Sequence, residues 1–247
     1  MSPAPCVIMT KKSECYQKSE PQTIQSMFNT IAPTYDFTNR IMSLNLMKIW
    51  NKALIKGTFK NNPKTILDLC CGTGEISYSW LRKQNSPKKA ILLDFSSEML
   101  VQAKKRAPSG HEIEWIEADA QKIPLSNESI EAISVAYGIR NIKDASLCFK
   151  EAHRILKNGG TFGILDLTEP KNPILRSLHK FYLKYFIPTI GGLLTFNPKA
   201  YRYLSKSIHQ FMKPEDIRRQ LLAAGFNKVE VKPLSNGVAH LWIAHKL

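Results

Sequence analysis

The chain has 247 residues, 43% of them hydrophobic, enough for one sizeable core without a second domain. Thirty-five Lys and Arg against twenty Asp and Glu leave a net charge of +15, an excess that points to an anionic partner such as nucleic acid or lipid headgroups. Five cysteines without a C-x-x-C pair argue against a disulfide framework or a zinc site, and there is neither a long apolar segment at the N-terminus nor a charge-free run long enough to span a membrane, so the expected setting is a reducing cytoplasm without a metal.

Residues 1–20 are polar and weakly patterned and are expected to form a mobile tail ahead of a single domain over 21–247. From Gln22 to Thr58 the apolar spacing is helical with a break at Ala32-Pro33, which predicts an N-terminal helical cap over 21–62. Strand and helix patterns then alternate. Strands are expected at 65–69, 90–94, 113–117, 130–136 and 161–167, with helices at Ile76–Lys83, Ser97–Arg106 and Asp144–Leu156. Such alternation builds a parallel sheet with right-handed crossovers. Asn158-Gly159-Gly160 is the turn into the fifth strand, and a further helix is expected at Pro214–Ala224. Lys228–Pro233 and Val238–His245, joined by Leu234-Ser235-Asn236-Gly237, then end the sheet in an antiparallel hairpin.

The most informative stretch is Asp68-Leu69-Cys70-Cys71-Gly72-Thr73-Gly74-Glu75, where an apolar strand passes through a glycine-containing turn into a helix. A dinucleotide-binding turn needs a third glycine, and Ser77 stands in its place. Instead, Asp68, Asp94 and Asp119 close three successive strands. A crevice edged with carboxylates suits a cofactor carrying an ammonium group and ribose hydroxyls but no phosphate, and S-adenosylmethionine answers that description. Gly72 and Gly74 are expected to admit the methionine moiety, and Asp68 to order the turn or approach the ammonium. Asp94 is expected to accept from the ribose hydroxyls, and Asp119 from the adenine amine. Each acid alone reads equally well as a helix cap or a solvated loop carboxylate.

Residues 171–214 contain no Asp or Glu but carry eight Lys and Arg. Arg176, Lys180 and Lys184 recur at helical spacing beside Leu175, Leu178, Tyr182 and Tyr185, as in a helix lying on a lipid interface. A lid over the site or a dimer contact fits the 171–213 insertion equally well.

Four segments carry a family resemblance: Asn29-Thr30-Ile31-Ala32-Pro33-Thr34-Tyr35-Asp36, Asp94-Phe95-Ser96-Ser97-Glu98-Met99-Leu100, Ala136-Tyr137-Gly138-Ile139-Arg140-Asn141 and Ala200-Tyr201-Arg202-Tyr203-Leu204. From about Met27 onward the chain resembles the ubiquinone/menaquinone biosynthesis C-methyltransferases. The resemblance implies a Rossmann-like class I fold with a seven-stranded, mostly parallel α/β sheet. It also implies S-adenosylmethionine as cofactor and a polyprenylated quinol such as demethylmenaquinol as substrate. Cofactor contacts carry over to Thr73, Asp94, Asp119, Ala120 and Ala136, where many relatives have Ser at the last position. Arg140 is expected to stabilise a developing quinolate with Asn141 orienting it, while Tyr35, Asp36, Asp166, Tyr201, His209 or water remain open as proton acceptor. The basic, apolar insertion together with a lipid substrate leads to the expectation of an enzyme peripheral to the inner face of an anionic membrane, with a homodimer left open and no nucleic acid expected. The alternatives are methylation of the benzoquinol intermediate of ubiquinone biosynthesis and methylation of RNA. The Asn/Asp-Pro-Pro-aromatic run of base-amine methyltransferases is missing after the fourth strand.

Overall fold

The computed structural model of the chain describes residues 21–82, 87–195 and 197–247. The expected tail over 1–20 and the expected helix end at Lys83 lie outside the described residues. Seven strands form one sheet: β1 Thr65–Leu69, β2 Lys89–Asp94, β3 Glu112–Glu117, β4 Ile130–Ala136, β5 Leu156–Leu167, β6 Lys228–Leu234 and β7 Ala239–His245. Their order is β3-β2-β1-β4-β5-β7-β6. The first five are parallel and β7 runs antiparallel to both its neighbours, so the terminal hairpin ends the sheet as expected. Strand order reverses between β1 and β4, which opens a crevice beyond their carboxyl ends.

Helices cover both faces because the central strands are mostly apolar and buried; Ile66 to Leu69 of β1 are all buried, Asp68 among them. One face, with Leu67, Ile133 and Val135, packs on Phe149 of α6 (Ala145–Ile155) and Leu221 of α10 (Pro214–Ala223). The other, with Ile66, Leu92 and Ala132, packs on Leu54 of α3 (Leu46–Thr58) and Trp80 of α4 (Glu75–Leu81), whose ring stacks on Phe59 at 3.8 Å. A third cluster joins the N-terminal helices α1 (Pro21–Ile31) and α2 (Tyr35–Met42) to the insertion through Ile31, Met42, Leu183, Ile187, Tyr201 and Ile208. Met99 of α5 (Ser97–Arg106) belongs to it. Cap and insertion are therefore one packed unit.

Three local features depart from the sequence expectations. The cap breaks a second time at Ser43–Asn45, where Leu44 and Asn45 adopt φ of 49° and 62°. β5 starts at Leu156 rather than 161: Leu156 pairs with Ile130, then the register jumps to Thr161 opposite Ala132, and 157–160 bulge out around Gly159 at φ +78°. The insertion folds as α7 (Pro173–Phe181), a π-helical turn over Tyr182–Phe186, α8 (Ile187–Thr195) and α9 (Pro198–His209). Asn172 caps α7 by accepting from the Ile174 and Leu175 amides, yet α7 fully buries none of its residues.

Gly163 of β5 lets α3 approach the sheet. A Cβ there would lie 1.8 Å from Thr58 Oγ1 and 2.9 Å from Leu54 Cδ1. Thr58 Oγ1 is buried without a hydrogen-bond partner. Gly163→Ala is therefore expected to cost about 1–3 kcal/mol in denaturant unfolding. Thr58→Ala alone should be near neutral, and it should reduce the penalty of Gly163→Ala when the two are combined. Simple additivity would show that the helix, not this contact, absorbs the added methyl.

Candidate active site

The site begins with the carboxylate of Asp68, buried near the end of β1. Its Oδ1 accepts from Ser134 Oγ of β4 at 2.8 Å, and its Oδ2 accepts from Ser77 Oγ at 3.0 Å and the Ser77 amide at 3.3 Å in the first turn of α4. The residue that broke the dinucleotide pattern thus serves as the partner that fastens α4 to β1. Beyond β1 the chain turns through Cys70 at φ +52° and Gly72 at φ +54°. A Cβ on Gly72 would meet nothing closer than Tyr35 Cε1 at 4.0 Å, so this position faces open space. Gly74, at φ +81°, has another role: a Cβ there would sit 2.5 Å from the Tyr78 ring. Its expected contact with the methionine moiety has no support in the geometry, since Gly74 lines neither cavity described below.

Asp94 closes β2 and ties down the same turn. Its Oδ2 accepts from the Gly72 amide at 2.8 Å and its Oδ1 from the Ser96 amide at 2.9 Å, while Ser96 Oγ caps α5 by accepting from Met99. A carboxylate has about four acceptor positions, so Asp94 retains capacity for ribose hydroxyls. Asp119 is exposed and held by the amide and side chain of Gln121. At the end of β4, Tyr137 takes φ +59°, and its hydroxyl donates to Asn51 Oδ1 of α3 at 2.8 Å. A Cβ on Gly138 would lie 2.6 Å from Cys70 Cβ, so the turns after β1 and β4 touch.

Two cavities, both open to solvent, meet along Tyr35, Cys70, Gly72, Ala136 and Tyr137. Asp68 and Thr73 line the first, together with Arg40, Lys48 and Asn51; Asp94, Phe95, Asp119, Ala120 and Gln121 line the second. A nucleoside with an amino-acid arm fits this pair: the adenosine end among Asp94, Asp119 and Ala120, the arm crossing Gly72 toward Thr73. Of the expected site residues, only Gly74 and Arg140 line neither space.

Arg140 lies beneath the floor. It is buried, its Nη1 donates to Asp166 Oδ1 at 2.6 Å and to the Tyr137 carbonyl, and its amide donates to Asp166 Oδ2 at 3.1 Å. Its Nε is buried without a partner. Burial opposes its charge, but Asp166 and the nearby tyrosines outweigh it and hold the guanidinium above its ordinary value. Asn141 lines the second cavity and accepts from Tyr203 of α9 at 3.1 Å. Among the candidate proton acceptors, Tyr35 faces both cavities, and burial pushes its hydroxyl up, which suits a donor better than a base. Asp36 lines the first cavity, accepts from Thr73 Oγ1 at 2.8 Å and pairs with Arg106. Asp166 is occupied by Arg140, Tyr201 is buried, and His209 pairs with Glu169 at the surface.

Sequence reading missed Ser77, Ser134 and Asn51 as the groups that fix the turns. Their signal is a polar residue in an otherwise buried stretch. Burial raises both Asp68 and Asp94 to about 6, and it pushes the Cys70 and Cys71 thiols up, with Asp94 adding to the effect, so neither thiol is a ready nucleophile. Among the described residues no group of three or more His, Cys, Asp or Glu is placed to hold a metal.

The family model described as the ubiE/COQ5 methyltransferase family matches residues 16–246. The chain is 43% identical over 229 residues to the demethylmenaquinone methyltransferase of Protochlamydia amoebophila, covering 91% of this chain and 95% of that protein. It is 37% identical over 239 residues to the ubiquinone/menaquinone biosynthesis C-methyltransferase of Campylobacter jejuni, covering 94% of this chain and all of that protein. Among solved structures, a SAM-dependent methyltransferase from Thermotoga maritima superposes with a TM-score of 0.62 at 17% identity, covering 90% and 99% of the two chains, a likeness of fold.

The two raised carboxylates set a pH dependence. If Asp94 accepts from the two ribose hydroxyls as the sequence leads one to expect, it must be ionised to do so, as must Asp68 to hold the turn as it does here. Cofactor affinity measured by calorimetry is expected to be flat above about pH 7 and to fall as pH drops through about 6. The folded state binds these protons more tightly than the unfolded chain, so the two groups add stability as pH falls from 6 to 4 and the loss is not unfolding. Affinity unchanged down to pH 5 would exclude Asp94 as the ribose acceptor.

Proposed function

The chain belongs to the ubiE/COQ5 methyltransferase family, and from that premise we propose that it methylates a ring carbon of a polyprenylated quinol, converting demethylmenaquinol to menaquinol with S-adenosylmethionine as donor. The observation that carries this reading is the pair of cavities meeting at Gly72: an acid-edged space for the adenosine, and a second space reaching α2 and α3 for the arm and the acceptor. When bound, the cofactor supplies an electrophilic methyl on a sulfonium. The chain's own work is to hold the acceptor carbon in line, to exclude water and to manage one proton. The acid edge suits a cationic donor, and with Ser77 in place of the third glycine the turn lacks the usual seat for a dinucleotide's pyrophosphate.

A quinol carbon becomes nucleophilic as its hydroxyl proton leaves. Arg140 keeps a permanent positive charge beneath Tyr137, where the two cavities meet, so negative charge developing on the quinol oxygen is stabilised there, while Asn141 orients this turn by donating to the Tyr137 carbonyl at 3.3 Å. Asp36 is the carboxylate, among the acceptors considered, that lines the first cavity, which favours it or a water beside it as proton acceptor. The insertion favours a seat on an anionic membrane. On α7 and its π-helical continuation Ile174, Leu178, Phe181 and Tyr185 recur on one exposed face, beside Lys180 and Lys184. Among the described residues no helix is long and apolar enough to cross a membrane, so the association would be peripheral.

Pure protein incubated with methyl-labelled S-adenosylmethionine and short-tail demethylmenaquinol is expected to label the quinol and to leave added RNA unlabelled. The reverse pattern would refute this function. Removing Arg140 alone strands the buried Asp166, so its role is best read from Arg140→Gln combined with Asp166→Asn, a neutral hydrogen-bonding pair. That double variant is expected to lower kcat about 100-fold while cofactor affinity changes by less than about threefold. A parallel loss of cofactor affinity would make Arg140 a structural residue.

A further inference from the structure

The insertion is not the chain's only acid-free segment. Residues 37–67 also lack Asp and Glu and carry Arg40, Lys48, Lys52, Lys56, Lys60 and Lys64. These six and the eight of 171–214 make up nearly the whole +15, so the remainder of the chain is almost neutral. The fold brings the two segments together: Tyr182 of the π-helical turn donates its hydroxyl to the Met42 carbonyl at the end of α2. The turn that follows, Ser43 to Asn45, contains the two consecutive left-handed residues Leu44 and Asn45, a conformation that costs energy without glycine and is kept where surroundings or function require it. Leu44 is 73% exposed and Ile49, on the first turn of α3, 65%. Their neighbours Ser43, Asn45, Met47 and Lys48 line the first cavity.

We propose that the α2–α3 turn is a lipid-inserting wedge at the mouth of the first cavity, and that it seats this mouth on an anionic bilayer so that the acceptor enters from the lipid rather than from water. The substrate part of this inference rests on the quinol reading above; the lipid contact does not. Leu44 and Ile49 supply the apolar tip, and the exposed Lys48 and Lys52 flank it without an acid in the segment. Phe181 and Tyr185 lie on the neighbouring exposed rim of the insertion. Apolar tips ringed by uncompensated cations match the hydrocarbon and headgroup layers of an anionic leaflet in that order. A symmetric dimer through this face would set lysines against lysines. Nucleic acid would reward the lysines but not the exposed Leu44 and Ile49.

The test compares the full chain with the double variant Leu44→Asp, Ile49→Asp, two exposed positions outside the cavity lining. Flotation uses vesicles of phosphatidylcholine alone and vesicles containing about 30% phosphatidylglycerol. The wild type is expected to float with the anionic vesicles only, and the variant to lose at least about tenfold in affinity at an unchanged thermal midpoint. With long-tail demethylmenaquinol embedded in vesicles the variant's turnover should fall by a similar factor, while a soluble short-tail quinol is turned over within about twofold of wild type. Unaltered vesicle binding by the variant, equal losses on both substrates, or a wild type that ignores vesicles but binds RNA or self-associates through this turn would overturn the wedge. A wild type that floats but methylates neither quinol would leave the wedge standing and refute the substrate reading.

Discussion

The buried carboxylate of Asp68 is the constraint on which the site depends. It lies on the central strand, is 1% exposed, and joins β1 to β4 through Ser134 and to α4 through Ser77. A buried carboxylate is tolerated only when hydrogen-bonded, and each such charge-assisted bond contributes about 1.5–3 kcal/mol. Those bonds fix where β1 stops and where α4 starts. The chain between them can then turn through Cys70 and Gly72, and Asp94 can reach across to grip the Gly72 amide. A second left-handed turn at Tyr137 packs against the first through Gly138. The cavities meet where these turns touch.

Much of this was legible from residue order alone, for a physical reason. β1 and β4 are short, mostly apolar runs buried on both faces between polar segments, and the observed Thr65–Leu69 and Ile130–Ala136 match the expected spans. The hidden features are those set by distant contacts. Gly74 is a local exception: the ring of Tyr78, one helical turn on, occupies the space its Cβ would need, and the sequence pattern alone does not separate that need from close approach to a ligand. Arg140 read as a group facing substrate because Asp166, which holds it beneath the floor, lies 26 residues away in sequence. The break at Ser43–Asn45 escaped notice because Leu44 and Asn45 take a left-handed conformation usually left to glycine. The bulge at 157–160 is a register jump against β4, which a single strand pattern does not encode.

The electrostatics divide between inside and outside. Three carboxylates edge the crevice, two of them buried, in a chain whose net charge is +15. The positive excess lies almost wholly in two acid-free segments that touch where Tyr182 meets the end of α2. A cationic donor is favoured within and an anionic surface without, and charges of one sign do not cancel the other because they act over different distances and dielectrics. Strong basicity therefore does not imply nucleic-acid chemistry here: Arg40 and Lys48 stand at the first cavity, and the acids surround the place where a cofactor would lie.

The most direct measurement is a crystal structure of the chain with S-adenosylhomocysteine. The expected result is a ligand lying across Gly72, with ribose hydroxyls on Asp94, adenine beside Asp119 and Ala120, and Asp68 still held by Ser77 and Ser134. A ligand bound elsewhere, or an Asp68 that leaves Ser134 to grip the ligand's ammonium, would contradict the role of this carboxylate as the fixed brace of the site.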